Sequence, residues 1–560
     1  MHSEDVQTNV ENLGNSAAVL VDVTEQSQLH FTYHNGEEAN RYTILESLGG
    51  GVAMLDYNGD GRLDVYVTGG GTLDGKEPME PRGLPGRLFE NQGNWRFSDV
   101  TQSAGFSSAT FYSNGCLAGD FDNDGWSDLL VTGFGGMTLY HNRPRGDQGR
   151  HFVDVTQNFG LTDSRWCSSA AWGDLMGNGR LDLYVCRYLD WSVANDPFCK
   201  RANNPLEREV CPPQHFQPLP HSLYQNDGSI FTDISDRIGL TPSRGMGVVL
   251  ADVNTDGRPD LYVANDTDYN FLYLNQGDGK LTESGIVAGV AMDDHGRYNG
   301  SMGVDVGDVD GDGQCSLLVT NYQGELPALY INLGHDTFLH QSQVAGLGAV
   351  GQEFVGFGAS LLDLDNDGWL DLAIVNGHVL RYPVGAPFLQ RPLLFHNISH
   401  RGRRFFRDIS PRGGTFFSTA SLGRGMACGD LDNDGWPDLV VSQSNRPVTV
   451  LRNIAGQTEP AHWFGLELVG KNNRPVMGAT VRIEIGERQL TRFTKSGGSY
   501  LSSSDPRILF GLGQVSQVLK LSVQWPWGEV QQWDTAELAI DQYWRAEEGA
   551  AKLQPALAPK

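Results

Sequence analysis

The sequence predicts an all-β protein: a seven-bladed β-propeller followed by a small all-β, sandwich-like domain. Three observations predict it. A nine-residue acidic segment recurs seven times, beginning at Asp56, Asp120, Asp174, Asp252, Asp308, Asp363 and Asp430. Around each copy lie short apolar runs separated by Gly, Asn and Asp, which is the signature of strands and turns. Finally, seven runs ending in Asn (LFEN, LYHN, LYQN, LYLN, LYIN, LFHN, VLRN) read as third strands, but only six runs of the FSDVT type follow them as fourth strands. A leftover run of that type, VLVDVT at residues 19–24, precedes the first repeat. It is expected to pair into the last blade and close the ring, because closure removes the exposed edges of a radial array of sheets.

Each acidic segment reads as a Ca²⁺ loop. Oxygen side chains at positions one, three, five and nine let a short loop wrap a hard cation; glycine at position six permits the turn, and position seven offers a carbonyl. The expected ligands are Asp56, Asn58, Asp60 and Asp64 in the first copy, then Asp120, Asp122, Asp124 and Asp128 in the second. The fourth copy supplies Asp252, Asn254, Asp256 and Asp260, and the fifth Asp308, Asp310 and Asp312. The sixth supplies Asp363, Asp365, Asp367 and Asp371, and the seventh Asp430, Asp432, Asp434 and Asp438. The fifth copy ends in Ser316 and is expected to bind more weakly. The third keeps Asp174, Asn178 and Asp182 but has Met176 at position three, which offers no oxygen, so this loop is expected to be weak or empty. About five to seven Ca²⁺ ions per chain follow.

In chain order, residues 1–17 are expected to be disordered and 18–456 to form the propeller. A polar, Pro-rich insertion at 188–222 is expected to stand out from the third blade as a loop stapled by Cys199 and Cys211. Cys116, Cys167 and Cys428 sit on apolar runs and read as buried thiols. From residue 461 the loops cease. Runs such as WFGLELVG, GATVRIEIG and LKLSVQWP predict a separate β domain to 548, followed by a disordered tail over 549–560.

The chain has 560 residues, more than one ordinary core holds unless it is a repeat or ring. Its formal charge is −27, and 23 of its 68 acidic residues lie in the seven loops. About six bound Ca²⁺ would bring the charge to roughly −15. That excess argues against nucleic acid or an anionic membrane as partner. No apolar stretch is long enough to span a membrane. The first residues, MHSEDVQTNV, contain no signal-peptide core. Loops of this type call for extracellular Ca²⁺ concentrations, so the expectation is a secreted, periplasmic or cell-surface protein whose leader is absent from this chain.

The repeats resemble FG-GAP/VCBS repeats, as in integrin α-subunit propellers. The end of the chain, with GLELVGKNNRPVMGATVRI, FGLGQ and WPWG, resembles the ASPIC/UnbV domain; Trp527 departs from the family's usual WPSG. Together they resemble the cartilage acidic protein 1 family over about residues 18–545. The resemblance implies a secreted or surface Ca²⁺-binding propeller and leaves the substrate open.

On the face opposite the loops, the propeller plan gathers polar residues from distant repeats. Arg244, Asp266, Tyr298 and His378 are the candidate ligand or acid/base groups there, Arg244 as an anion clamp. Asn265, Asn321 and Asn376 read as turn formers, and Met246, Met302 and Met426 as packing of the channel wall. Trp126, Trp369 and Trp436 at loop position seven read as covers for the loops. No G-x-S-x-G, H-E-x-x-H, P-loop or C-x-x-C pattern occurs. The sequence thus favours recognition of a protein or glycan, with Ca²⁺ mainly structural. The alternative is an enzyme of lyase, dehydratase or alkylating type, or a small-molecule site, at the mouth.

Overall fold

The computed structural model describes residues 19–73, 79–106, 108–109, 111–146 and 149–556. The segment expected to be disordered at 1–17 lies outside the described residues. The fold is nearly all β, and short apolar runs broken by Gly and Asn make each strand as the alternation requires. Seven antiparallel sheets, six of four strands and the fourth extended by Ser496–Gly497 and Asn299–Gly300, each contain one acidic loop between their first and second strands. The innermost strands are Val52–Leu55, Tyr112–Gly119, Cys167–Gly173, Gly245–Ala251, Val304–Gly307, Gly356–Leu362 and Gly423–Gly429. Each touches the innermost strands on either side of it, and the seventh touches the first. Leu20–Asp22 pairs antiparallel with Arg446–Asn453 and is the outer strand of the seventh sheet. Apolar side chains fill the wedges between sheets; one wedge joins Val52, Met54 and Val65 of the first sheet to Ala427, Val440 and Val450 of the seventh.

The C-terminal domain has two four-stranded sheets over a core that includes Phe464, Ile483, Phe510, Trp525 and Trp544. His462–Val469 runs parallel to Tyr543–Glu547, and the other pairs are antiparallel. The expected disordered tail is a correction at 549–556: Gln554–Pro555 pairs with Trp544 and Arg545, and Leu553 packs on the domain core. One apolar side chain and an open strand edge suffice to anchor it. Residues 557–560 lie outside the described residues.

This domain sits on the loop face and sends a segment through the propeller. Residues 495–505 enter the central channel and bond to the innermost strands around it. Ser496–Gly497 pairs with Val249 and Leu250, Val304 N–H donates to Ser499 O, and Cys116 N–H donates to Leu501 O. Met54 N–H donates to Ser503 O, and Asp505 N–H to Cys428 O. Inner strands cannot pair with one another across a channel, so their free backbone groups need such a partner. Gly497 at φ +71° lies so close to Val248 O that a Cβ would sit 2.4 Å from it. At the tip, buried Tyr500 meets Phe357 edge-on at 4.9 Å.

Candidate metal centres and the channel mouth

In all seven loops the first carboxylate accepts the N–H of the glycine at position six. In the first, Asp56 accepts the N–H groups of Gly59, Asp60 and Gly61, which curls the chain around its carboxylate. Position six is glycine in all seven, at φ between +80° and +94°. Position four is also left-handed in all seven: Gly59, Asn123, Gly177, Thr255, Gly311, Asn366 and Asn433. Gly and Asn dominate there because they adopt this conformation at least cost. Gly59 and Gly311 have a second reason, since Trp126 and Trp369 of the following blade lie on them and a Cβ would meet either ring at 2.6 Å. These tryptophans cover the preceding blade's loop.

Position nine organises the blade. Asp64 accepts Tyr57 N–H at 3.1 Å and Asn91 N–H at 2.8 Å; Asp128, Asp182, Asp260, Asp371 and Asp438 repeat both bonds. Ser316 in the fifth blade makes only the second, at 3.2 Å. The asparagine that ends each third strand then reaches into the preceding blade. Asn91 donates to Leu431 O, Asn142 to Tyr57 O, Asn226 to Phe121 O and Asn275 to Leu175 O. Asn332 donates to Val253 O, Asn397 to Val309 O and Asn453 to Leu364 O. Seven such bonds close a circle. The invariant Asn of the third-strand runs was the visible sign of it, but a residue's reach across a blade boundary is not written in local spacing.

The donor set suits a hard cation. Oxygens of Asp120, Asp122 and Asp128, and of Asp308, Asp310 and Asp312, lie within 4.8 Å of one another. Asp310 Oδ1, Asp363 Oδ1, Asp365 Oδ1 and Asp432 Oδ1 are buried without a hydrogen-bond partner. Burial, with neighbouring carboxylates adding to it, pushes Asp120, Asp252 and Asp363 up to about 7 and Asp430 to about 6. A bound cation would hold carboxylates so grouped in their ionised form.

In three loops the C-terminal domain bonds to position one. Tyr543 Oη donates to Asp430 Oδ2 at 2.8 Å, and Arg492 donates to Asp363 Oδ2 at 3.2 Å. In the third loop, where Met176 removes an oxygen, Arg474 places its guanidinium 3.3 Å from Asp174 Oδ2. Trp527 lies over Gly177 there and donates its indole N–H to Asp174 O at 2.7 Å. The loop's departure from the repeat and Trp527's departure from the WPSG pattern therefore meet at one contact.

The opposite face is closed. The insertion does not stand out, which corrects the expectation: Tyr188, Leu189, Trp191, Val210, Cys211 and Phe216 pack with Trp166, Met246 and Tyr500 across the channel mouth. Aromatic residues between its prolines supply the apolar area that folds it down. Cys199 and Cys211 form a disulfide, and only the hairpin tip is free, with Leu206 91% exposed. Of the four mouth candidates, His378 is buried between Gln323 Oε1 at 2.9 Å and Leu380 N–H at 3.0 Å. Burial, and then Arg424, lower it to about 4, so it stays neutral. Asp266 accepts Tyr188 Oη at 2.6 Å, and burial raises it to about 6. Arg244 donates to Phe216 O, with Asp268 at 3.7 Å. Tyr298 is exposed, edge-on to Tyr269. Among the described residues no side-chain hydrogen bond joins any two of these four. Asn265 and Asn321 each bond a carbonyl across their own turn, whereas Asn376 reaches Arg391 O, fifteen residues on, while Met246, Met302 and Met426 are buried. Cys116 and Cys167 are buried thiols and Cys428 is half-buried.

The ASPIC and UnbV family profile matches residues 469–553, and the FG-GAP-like repeat profile matches 56–131, 120–185 and 252–319. Cartilage acidic protein 1 of Xenopus tropicalis is 22% identical over 524 residues, covering 86% of this chain and 70% of that protein. The Homo sapiens protein of that name is 22% identical over 502 residues, covering 86% and 69%. Among solved structures, an Agrocybe aegerita lectin that recognises non-reducing terminal N-acetylglucosamine is similar with a TM-score of 0.39 and 14% identity, over 71% of this chain and 86% of that one. No helix of the described residues is long and apolar enough to cross a membrane.

Proposed function

We propose that this chain of FG-GAP-like repeats, ending in an ASPIC and UnbV domain, is an extracytoplasmic Ca²⁺-stiffened scaffold that recognises a protein or glycan. The observation that carries the reading is the ring of seven loops, each tied to the next by an asparagine, with buried carboxylate oxygens left unbonded in the fifth, sixth and seventh. Asp56, Asn58 and Asp60 and their counterparts would hold the ions, which supply positive charge at the rim and fix the loops that position nine and the asparagines connect. Arg474 stands beside Asp174 in the third loop as Arg492 stands beside Asp363 in the sixth; the third loop, which also lacks an oxygen at Met176, is the one read as metal-free. The mouth gives little support to catalysis, because His378 and Arg244 are bonded to backbone and the channel is filled by Tyr500.

Recognition falls to the outer surface, where Phe198 and Leu206 of the disulfide-tied segment are exposed and Arg201 stacks on Tyr382. Glycan and extracellular-protein arrays probed with the full chain test this. The reading expects Ca²⁺-dependent binding that Leu206→Ser weakens at least tenfold with the melting temperature unchanged. Binding indifferent to both chelation and the hairpin would contradict it.

A further inference from the structure

Two of the loops differ from the rest in the same way. The residue preceding the ring asparagine in the third strand faces its own blade's loop, and in blades two and six it is histidine. His141 Nε2 lies 3.2 Å from Asp122 Oδ2 and 3.8 Å from Asp124 Oδ2. His396 Nε2 lies 3.2 Å from Asp365 Oδ2. In each blade the imidazole nitrogen and both carboxylates lie within 4.8 Å of one another. His141 is only 9% exposed, and its Nε2 has no hydrogen-bond partner. In blade six the unbonded oxygens are Asp363 Oδ1 and Asp365 Oδ1.

The surroundings are duplicated too. Arg150 stacks on Trp126 at 3.6 Å and Arg404 on Trp369 at 3.7 Å. Each arginine donates through Nε to the ring asparagine, Asn142 or Asn397, at 3.0 Å. The other blades show what the slot does without histidine. Glu90 in blade one, which accepts Tyr57 Oη, and Gln225 in blade three bring oxygen, Leu274 and Ile331 bring no polar atom, and Arg452 brings a fixed positive charge 3.1 Å from Asp432.

We infer that His141 and His396 convert the loops of blades two and six into mixed imidazole–carboxylate sites that take a divalent first-row transition ion of the Zn²⁺ or Mn²⁺ class. Ca²⁺ draws oxygen ligands almost exclusively, whereas imidazole favours the first-row ions. Ligands about 2.1 Å from such an ion stand roughly 3.0 to 3.4 Å apart, the spacing of His Nε2 and Asp Oδ2 in both blades. In blade two Arg143 Nε donates to His141 Nδ1 at 3.1 Å. Ligation through Nε2 moves the ring proton to Nδ1 and releases the exposed Arg143 side chain to water. The inference rests on the reading of the loops as cation sites.

The test is a Co²⁺ titration of the full chain in saturating Ca²⁺, followed by ligand-field absorption and by calorimetry, with His141→Gln, His396→Gln and the double variant alongside. Two nitrogen-ligated equivalents in the native chain, one in each single variant and none in the double are expected, with each affected site weakened at least tenfold. Equal stoichiometry in the native chain and the double variant, including any residual binding at exposed histidines such as His295, would overturn it. So would native protein that binds no Co²⁺. Ca²⁺ content, measured separately on the same samples, reports whether the loops bind a cation at all, so failure of the inference is distinguishable from failure of the reading it rests on.

Discussion

The two faces of the propeller are built on opposite plans. On the loop face the glycine N–H to the first carboxylate and the asparagine bond to the preceding blade recur seven times, and the paired bonds of position nine recur six times. On the mouth face nothing repeats: an aromatic insertion, a plug tip and single side chains tied to nearby carbonyls fill the opening. A repeated face is legible from a repeated sequence. A face made of individual contacts is legible only once the chain is folded.

The largest effect that sharpens this contrast is at the plug, where the two faces meet. Tyr500→Ala removes a buried ring against Phe357 and should cost about 3–5 kcal/mol in urea unfolding. A loss below about 1 kcal/mol would mean that the C-terminal segment does not hold the channel. Next is Arg474→Met, which leaves the carboxylate of Asp174 buried without its cation; about 3 kcal/mol is expected. If added Ca²⁺ restored that stability, the third loop would be a metal site after all. Asn275→Ala breaks one link of the ring by taking the side-chain donor from Leu175 O and Pro259 O. A cost of about 2 kcal/mol should appear as lost stability. Amide exchange should quicken in blade three as well as blade four; quickening in blade four alone would deny the inter-blade bond. Smallest is Leu206→Ser at the exposed hairpin tip, expected within about 0.5 kcal/mol of the native chain. A larger thermal shift there would mean that the hairpin packs on something in the fold.

Much of the loop face could be read from the sequence. The acidic loops, glycine at position six and the third-strand runs all follow from spacing and turn chemistry. What escaped notice was the bonding between blades: that Asn91 and its six counterparts reach a neighbour's carbonyl, and that position four must be left-handed. The mouth resisted for a different reason. His378 and Arg244 lie in slots where polar residues converge by topology, yet their partners, Leu380 N–H and Phe216 O, are backbone groups that any sequence supplies. The insertion looked like a projecting loop because its prolines and charges were more visible than its spaced aromatics. Residues 495–505, rich in Gly and Ser, carried no apolar pattern to mark them as the filling of a channel, since they bond through backbone. Trp527 was visible as a departure from its family's pattern, and only the fold supplied the reason.

The account turns on whether cations hold the loop face together. The most direct measurement is metal content together with the melting temperature of the full chain, before and after exhaustive chelation. Five or more bound divalent ions per chain are predicted. Because each site at hundredfold saturation adds about 2.7 kcal/mol to the folded state, chelation should lower the melting temperature by roughly 10 °C or more. A chain stripped of metal that melts where the loaded chain does would contradict the account.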